Sequence, residues 1–321
     1  MDGPGDEGVM RLGEAPAPVL VPGSIRIRVA ATSVNRADLL QRQGFYPPPP
    51  GAPEILGLEC AGEVIETAPE VAGWSVGDRV MALLAGGGYA EEVVVDAGCA
   101  LPVPEALSLE AAGAVSEVFL TAFLNLFQLG ALPAAGATLV HGGGSGVGTA
   151  AIQLVKEAGG SIAVTAGSDD KCRRCLELGA DVAANYHSDD FLSAARELTG
   201  GRGVDVVLDC VGAPYFERNL KALAVGGRLV MIGLMGGAKG EIGLGLLLAR
   251  RLHAIGSTLR SRSAAEKAQI VAGFRARFGE ALERGRIAPV VDRTLPLAQA
   301  PEAHRVMKAG EHFGKLVLRV A

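Results

Sequence analysis

From Ser24 the apolar residues Ile25, Ile27 and Val29 alternate with Arg26 and Arg28, the period-two pattern of a half-buried strand. Val34 to Arg42 mixes polar and apolar residues at short-helix spacing, and Gly44-Phe45-Tyr46 followed by Pro47 to Pro50 predicts an extended loop. Cys60 to Thr67, Arg79 to Leu84 and Ala90 to Val95 read as further short strands, punctuated closely by Gly and Pro. Short strands at such intervals predict a compact antiparallel, barrel-like domain. Between Ser108 and Leu129 the period changes. Leu120, Phe123, Leu124 and Phe127 recur at spacings of three and four, which predicts a long helix or two abutting helices.

From Ala137 a different regime begins. Apolar runs at Thr138–His141, Ile162–Thr165, Val182–Asn185, Val204–Asp209, Leu229–Ile232 and Ala254–Ser257 are separated by helical patterns or loops. Continuous apolar strands joined by helices predict a parallel sheet covered on both faces. The chain then returns to an amphipathic helix, Ser263 to Glu283, and to strand candidates at Val290-Val291, Thr294-Leu295 and Lys315 to Val320 around a short helix, Gln299 to Lys308. These late strands are too few to form a domain alone and are expected to complete the first one. The expected class is α/β: a barrel-like, β-rich catalytic domain over 1–118 and 259–321, and a doubly wound parallel-sheet domain over 119–258.

The candidate chemistry gathers at the first turn of the parallel half. Gly142-Gly143-Gly144-Ser145-Gly146-Val147-Gly148 joins an apolar strand to a helix carrying Ile152 and Val155. The first N–H groups of a helix lack internal acceptors and carry partial positive charge, so such a turn favours a phosphate. The strict dinucleotide fingerprint would put its middle glycine at Ser145. The next strand ends Thr165-Ala166-Gly167-Ser168, with Lys171 following. A site for NAD places a carboxylate there, about 20 residues beyond the turn, to bind the ribose 2′-hydroxyl. A hydroxyl and an ammonium instead favour a 2′-phosphate, and hence NADPH. Asp169 and Asp170 are expected to cap the next helix and to face solvent in its first turn. Cys172-x-x-Cys175 lacks a second pair and reads as incidental helix spacing. The five histidines show no metal-ligand spacing.

Composition narrows the partners. With a net charge of −5 and 4% aromatic residues, neither a broad basic face nor a stacking surface for single strands is expected, so nucleic acid is disfavoured. Five scattered cysteines fit reduced thiols. The first residues have neither a basic start nor an apolar core, and no apolar run reaches membrane-spanning length; a cytoplasmic protein is expected.

Several stretches together resemble a known family. They are Val34-Asn35-Arg36-Ala37-Asp38-Leu39-Leu40-Gln41-Arg42-Gln43-Gly44, Gly57-Leu58-Glu59-x-x-Gly62, the glycine turn, Gly203 to Asp209, Gly233-Leu234-Met235-Gly236-Gly237 and Gly314-Lys315-Leu316-Val317-Leu318. In their order they resemble the medium-chain dehydrogenase/reductase superfamily. Within it they resemble the zinc-independent, zeta-crystallin-like quinone oxidoreductases, and most nearly the tumour-suppressor-inducible group. The resemblance implies a GroES-like domain with an inserted Rossmann domain, NADPH as cofactor, and a quinone or conjugated carbonyl as acceptor. Zinc members bear a cysteine where Asn35 stands and a histidine where Leu58 stands, so both zinc sites are expected to be missing. The resemblance further implies that Asn35, Tyr46 and Thr121 face nicotinamide and substrate, and that Tyr46 can donate to a developing oxyanion. Gly143, Ser145, Gly146 and Val147 would line the pyrophosphate; Gly167, Ser168, Lys171 and Tyr186 the 2′-phosphate and adenine; Met235, Phe313 and Lys315 would complete the cofactor site. Homodimers are expected on the same ground. Two alternatives stay open: an enone or enoyl reductase of the same fold, and a non-catalytic NADPH-binding, crystallin-like or RNA-binding protein.

Overall fold

The structure is a computed structural model that describes residues 3–320. Met1, Asp2 and Ala321, which the expected domain ranges include, lie outside the described residues. The chain divides into two compact units, one ending at Leu120 and resuming at Leu259, the other being Thr121–Thr258.

The first unit opens with β1 (Ser24–Ser33), α1 (Arg36–Arg42), β2 (Glu59–Thr67), β3 (Arg79–Leu83), β4 (Glu92–Asp96) and β5 (Ala100–Pro102). The helical stretch expected from Ser108 is broken into α2 (Leu109–Ala112), α3 (Ser116–Phe123) and a π-helical turn, Leu124–Leu129. The break falls at Gly113, where a Cβ would lie 2.9 Å from the carbonyl oxygen of Ala31 on β1. The turn between α2 and α3 thus packs backbone against backbone, which only glycine permits.

The second unit continues with β6 (Ala137–His141), α4 (Gly146–Glu157), β7 (Ser161–Ala166), α5 (Asp169–Glu177), β8 (Val182–Asn185), α6 (Phe191–Thr199), β9 (Val204–Asp209), α7 (Ala213–Ala222), β10 (Leu223–Met231), α8 (Gly245–Arg250) and β11 (His253–Gly256). Its strands pair in the order β11-β10-β9-β6-β7-β8, all parallel. Counted from β6, this is the doubly wound order 3-2-1-4-5-6, with its switch point between β6 and β9. Leu139, Ala163, Val207 and Leu229 supply the buried faces of these strands. β10 starts six residues before the expected Leu229, at Leu223, and reaches its main register only after an irregularity between Leu223 and Arg228.

The chain then returns to the first unit through α9 (Ala264–Glu283), β12 (Val291–Pro296), α10 (Ala300–Ala309) and β13 (Lys315–Arg319). β13 pairs antiparallel with β1, and β12 parallel with β13. Among the described residues this gives a seven-stranded sheet in the order β12-β13-β1-β2-β3-β5, with β4 also pairing β1. Ile25, Ile27, Val29, Val64 and Val80 fill its interior. The late strands therefore do complete the early sheet. Among the described residues no helix is long and apolar enough to cross a membrane.

β1 and β2 meet at a register shift between Val29 and Ala31, opposite Gly62. A Cβ at Gly62 would overlap the carbonyl oxygen of Arg28. Gly62→Ala is therefore expected to destabilise the fold by about 1–3 kcal/mol, the usual effect of overpacking a closed site. Gly13→Ala, where a Cβ meets nothing within 4 Å, serves as the neutral control. Equal urea midpoints for the two variants would contradict this packing.

Candidate functional site

The glycine turn sits at the carboxyl end of β6, beside the switch point. Gly142 has φ +79°, and the amide of Gly143 donates to Thr165 O on β7 at 2.8 Å. A Cβ at Gly143 would press on Val164, and one at Gly148 would overlap Gly142 O. These glycines hold α4 tightly over β6. Ser145 is the N-cap of α4, and its Oγ accepts from Gly148 N at 3.0 Å. The amides of Gly146 and Val147 open the helix, where no intrahelical acceptor exists. The opening amides of a helix carry partial positive charge, so this turn has the chemistry of an anion site.

The floor beneath the turn is polar, and Asn219 Nδ2 is buried there with no hydrogen-bond partner. His141, buried at the end of β6, bonds Asn219 Oδ1 through Nε2 at 2.7 Å and Thr165 Oγ1 through Nδ1 at 3.1 Å. Burial lowers its pKa to about 4, so the imidazole stays neutral. Asp209, at the end of β9, accepts from the amides of Val211 and Gly212 at 2.8 and 3.0 Å and shapes the neighbouring turn.

At the end of β7 the expected cluster is brought together. Tyr186 N donates to Ala166 O, and the Tyr186 hydroxyl lies over Gly167, where any Cβ would overlap it. Ser168 caps α5, its Oγ accepting from Lys171 N at 3.3 Å. This corrects the expectation for Asp169 and Asp170. The cap is Ser168; Asp169 accepts from Asn185 Nδ2 at 2.7 Å, and Asp170 pairs with Arg173 along the helix. Their place in the first turn and their exposure are as expected. Cys172 and Cys175 are buried, unbridged thiols of that helix. Met235 is 61% exposed and follows β10 at the same end of the sheet, its amide bonded to Cys210 O. Thr121 is buried on α3, its carbonyl accepting from Asn125 Nδ2 at 2.7 Å.

The first unit holds a buried polar network that the sequence did not announce. Glu59, at the start of β2, is fully buried. Its Oε1 accepts from Ser33 Oγ at 2.6 Å, from Asn35 Nδ2 at 3.0 Å and pairs with Lys315 Nζ at 3.0 Å, while Oε2 accepts from Glu117 N at 2.8 Å. Lys315 Nζ also donates to Asn35 Oδ1 at 2.6 Å and Val34 O at 2.9 Å. All three donor positions of the ammonium are therefore filled inside the unit, and Lys315 is 2% exposed. Where a cofactor contact was expected, its ammonium compensates Glu59. Asn35 is likewise committed through both ends of its amide. Phe313, also expected at the cofactor, is 3% exposed, and its amide donates to Asp292 Oδ1.

Around this node Asp38 accepts from the amides of Asn35 and Gly57 at 2.8 and 2.9 Å. Burial raises its pKa to about 6, against the pull of those amides. Tyr89 meets His304 Nε2 at 3.1 Å, and Arg42 bridges His304 Nδ1 and Glu7. Tyr46 lies under the Arg260 guanidinium, whose carbon is 5.4 Å from the ring centroid, and its carbonyl accepts from Arg260 at 3.2 Å. Burial, with Glu117 nearby, pushes its phenol pKa up, so its hydroxyl keeps the proton it would donate. Glu117 and Arg260 were missed by sequence reasoning. A single acidic residue opening an apolar helix was the one signal for Glu117.

A GroES-like barrel and a Rossmann sheet with a phosphate-ready turn define a dehydrogenase or reductase. Residues 21–105 match the family described as alcohol dehydrogenase GroES-like domain, and residues 146–272 that described as zinc-binding dehydrogenase. The chain is similar to a solved NAD-dependent alcohol dehydrogenase, 34% identical, covering 99% of this chain and 98% of that one with a TM-score of 0.86. It is also similar to an Escherichia coli quinone oxidoreductase complexed with NADPH, 28% identical, covering 99% and 98% with a TM-score of 0.83. A phthioceranic/hydroxyphthioceranic acid synthase of Mycobacterium tuberculosis is 35% identical over 302 residues, which is 93% of this chain but only 14% of that protein. The chain belongs to the medium-chain dehydrogenase/reductase superfamily.

The zinc in the family's description does not fit the residues present. Leu58 is apolar and buried, the Asn35 amide is saturated, and among the described residues no group of three or more His, Cys, Asp or Glu side chains is arranged to hold a metal ion.

The buried pair gives a direct stability test. Lys315→Met strands the Glu59 charge and is expected to cost about 3–5 kcal/mol, whereas Lys315→Met with Glu59→Gln recovers much of that loss. Urea unfolding measures both; a single variant within 1 kcal/mol of the parent would contradict the compensation.

Proposed function

We propose that this chain is an NADPH-dependent quinone oxidoreductase that reduces its acceptor without a resident metal, as its zeta-crystallin-like resemblance implies. The observation that carries the cofactor is the end of β7. Where an NAD site places a carboxylate, this strand ends in Ala166 and Gly167, and the space a side chain would take is filled by the Tyr186 hydroxyl. Ser168 and Lys171 follow at once. Two hydroxyls and an ammonium suit a 2′-phosphate dianion, which a carboxylate would repel.

NADPH supplies the hydride chemistry; the chain's residues bind and orient. The α4 amides at Gly146 and Val147 take the pyrophosphate, and Ser168, Lys171 and Tyr186 the 2′-phosphate and adenine. Tyr46, kept protonated by burial, donates a hydrogen bond to the acceptor oxygen as negative charge develops there. An electron-poor carbonyl needs no stronger electrophile than this. Similarity to the Escherichia coli enzyme supports the quinone.

Similarity to a segment of a mycobacterial acid synthase favours a second reading, an enoyl reductase of the same fold. Side-by-side assays of NADPH oxidation with a benzoquinone and an α,β-unsaturated ketone separate the two. The quinone is expected to give the higher kcat/KM, and a faster enone replaces the first reading by the second.

For the cofactor, Lys171→Ala is expected to weaken NADPH binding about tenfold or more, the effect of losing one charge-assisted phosphate contact of 1.5–3 kcal/mol. NADH binding should change little. Fluorescence titration with both nucleotides reads the difference, and equal weakening would remove the 2′-phosphate contact from the account.

A further inference from the structure

Glu117 stands apart from the other acids of its unit. Asp38 and Glu59 are each held by backbone amides or side-chain donors, but Glu117 Oε2 is buried and has no hydrogen-bond partner. Its own amide is bonded to Glu59, which fixes the residue beside a carboxylate already compensated by Lys315. A half-buried carboxyl whose Oε2 is buried with no donor, next to an anion, favours the protonated form. Burial, followed by the charge of Glu59, raises its pKa to about 8. Asp38 adds to that rise, while Lys315 and Lys267 oppose it. Tyr46 and Arg260 are the other groups whose charges it feels. An acid with an orphaned buried oxygen, whose charge is felt by the tyrosine assigned to the acceptor oxygen, has the form of a general acid.

We propose that Glu117 is a catalytic residue, the proton donor to the reduced acceptor. The assignment rests on the reading of the chain as an NADPH-dependent carbonyl-acceptor reductase. Hydride brings two electrons to the acceptor, and the displaced carbonyl pair is left on oxygen. The O–H bond forms there as the carboxyl O–H bond of Glu117 breaks, with Tyr46 holding the same oxygen. NADPH ends as NADP⁺ and the acceptor is reduced by two electrons. The carboxylate left on Glu117 is unfavourable in its buried site and regains a proton from water, so one proton is taken up per turnover.

The test compares the parent with Glu117→Gln and Glu117→Asp, using NADPH and whichever benzoquinone or enone the parent reduces. In the parent, kcat is expected to fall as pH rises through about 8, where the carboxyl loses its proton. The Gln variant should bind NADPH as the parent does, lose about 10²-fold or more in kcat, and lose that alkaline fall. The Asp variant, still an acid, should recover part of the rate and of the pH profile. Unfolding gives a second readout. The folded pKa lies above the ordinary 4.5, so the folded chain keeps a proton that the unfolded chain releases, and parent stability drops relative to Glu117→Gln as pH rises from 4.5 to 8. A Gln variant within threefold of the parent rate and with the same alkaline fall overturns the proposal alone. A parent that binds NADPH and reduces no carbonyl acceptor overturns the functional reading as well. If the Gln variant folds poorly, the Asp variant decides: a rate about 10²-fold down with no change of pH profile overturns the assignment.

Discussion

A carboxylate removed from water must be compensated where it stands, and in this protein that requirement falls on Glu59. Its four hydrogen-bonding partners come from the end of β1, the entry to α1, the start of α3 and the first residue of β13. One buried charge thereby ties the early strands to the strand that returns some 250 residues later. The arrangement also commits the polar ends of Asn35 and Lys315 inside the unit. Each is needed by Glu59, and withdrawing either would leave a buried charge short of partners.

The same node sets the chemistry of its neighbours. Because Glu59 is satisfied, it does not share its donors with Glu117, and the second acid is left with a buried oxygen and no partner. Tyr46 and Arg260 complete a small region in which a phenol and a carboxyl both hold their protons. In the other unit the constraint is different but equally local. Parallel strands end together at the switch point, and glycines let the first helix sit close enough for its opening amides to meet an anion. The proposed phosphate site and the proposed proton donor thus rest on separate means: one on backbone dipoles, the other on burial of side chains.

Much of the architecture was legible because it rests on periodicity. Alternation at Ile25, Ile27 and Val29 marked β1, and the apolar runs from Ala137 onward marked each parallel strand. The glycine turn was readable as a motif because its glycines answer to local geometry. Interruptions were harder to read. The break at Gly113 depends on the approach of β1, and the early start of β10 on pairing with Val204, both long-range contacts. Ser168 rather than an aspartate caps α5, since three adjacent residues all have the chemistry of a cap and only register decides among them. The polar network was not legible at all. Glu59, Asp38 and Glu117 carry no signal of it until the fold buries Glu59 and Asp38 and half-buries Glu117. The resemblance alone placed Lys315 at the cofactor; its pairing with an acid on another strand had no signal in the sequence.

In the proposed reaction reduced nicotinamide delivers hydride directly to a bound carbonyl acceptor. Single-turnover oxidation of NADPH deuterated at the transferred C4 position tests it most directly, followed by absorbance with enzyme in excess over acceptor. The account predicts that the absorbance decays only when acceptor is present and that deuterium slows it severalfold, as hydride transfer requires. Decay that is insensitive to deuterium while chemistry is rate-limiting, or no decay with any quinone or enone although NADPH binds, would contradict it.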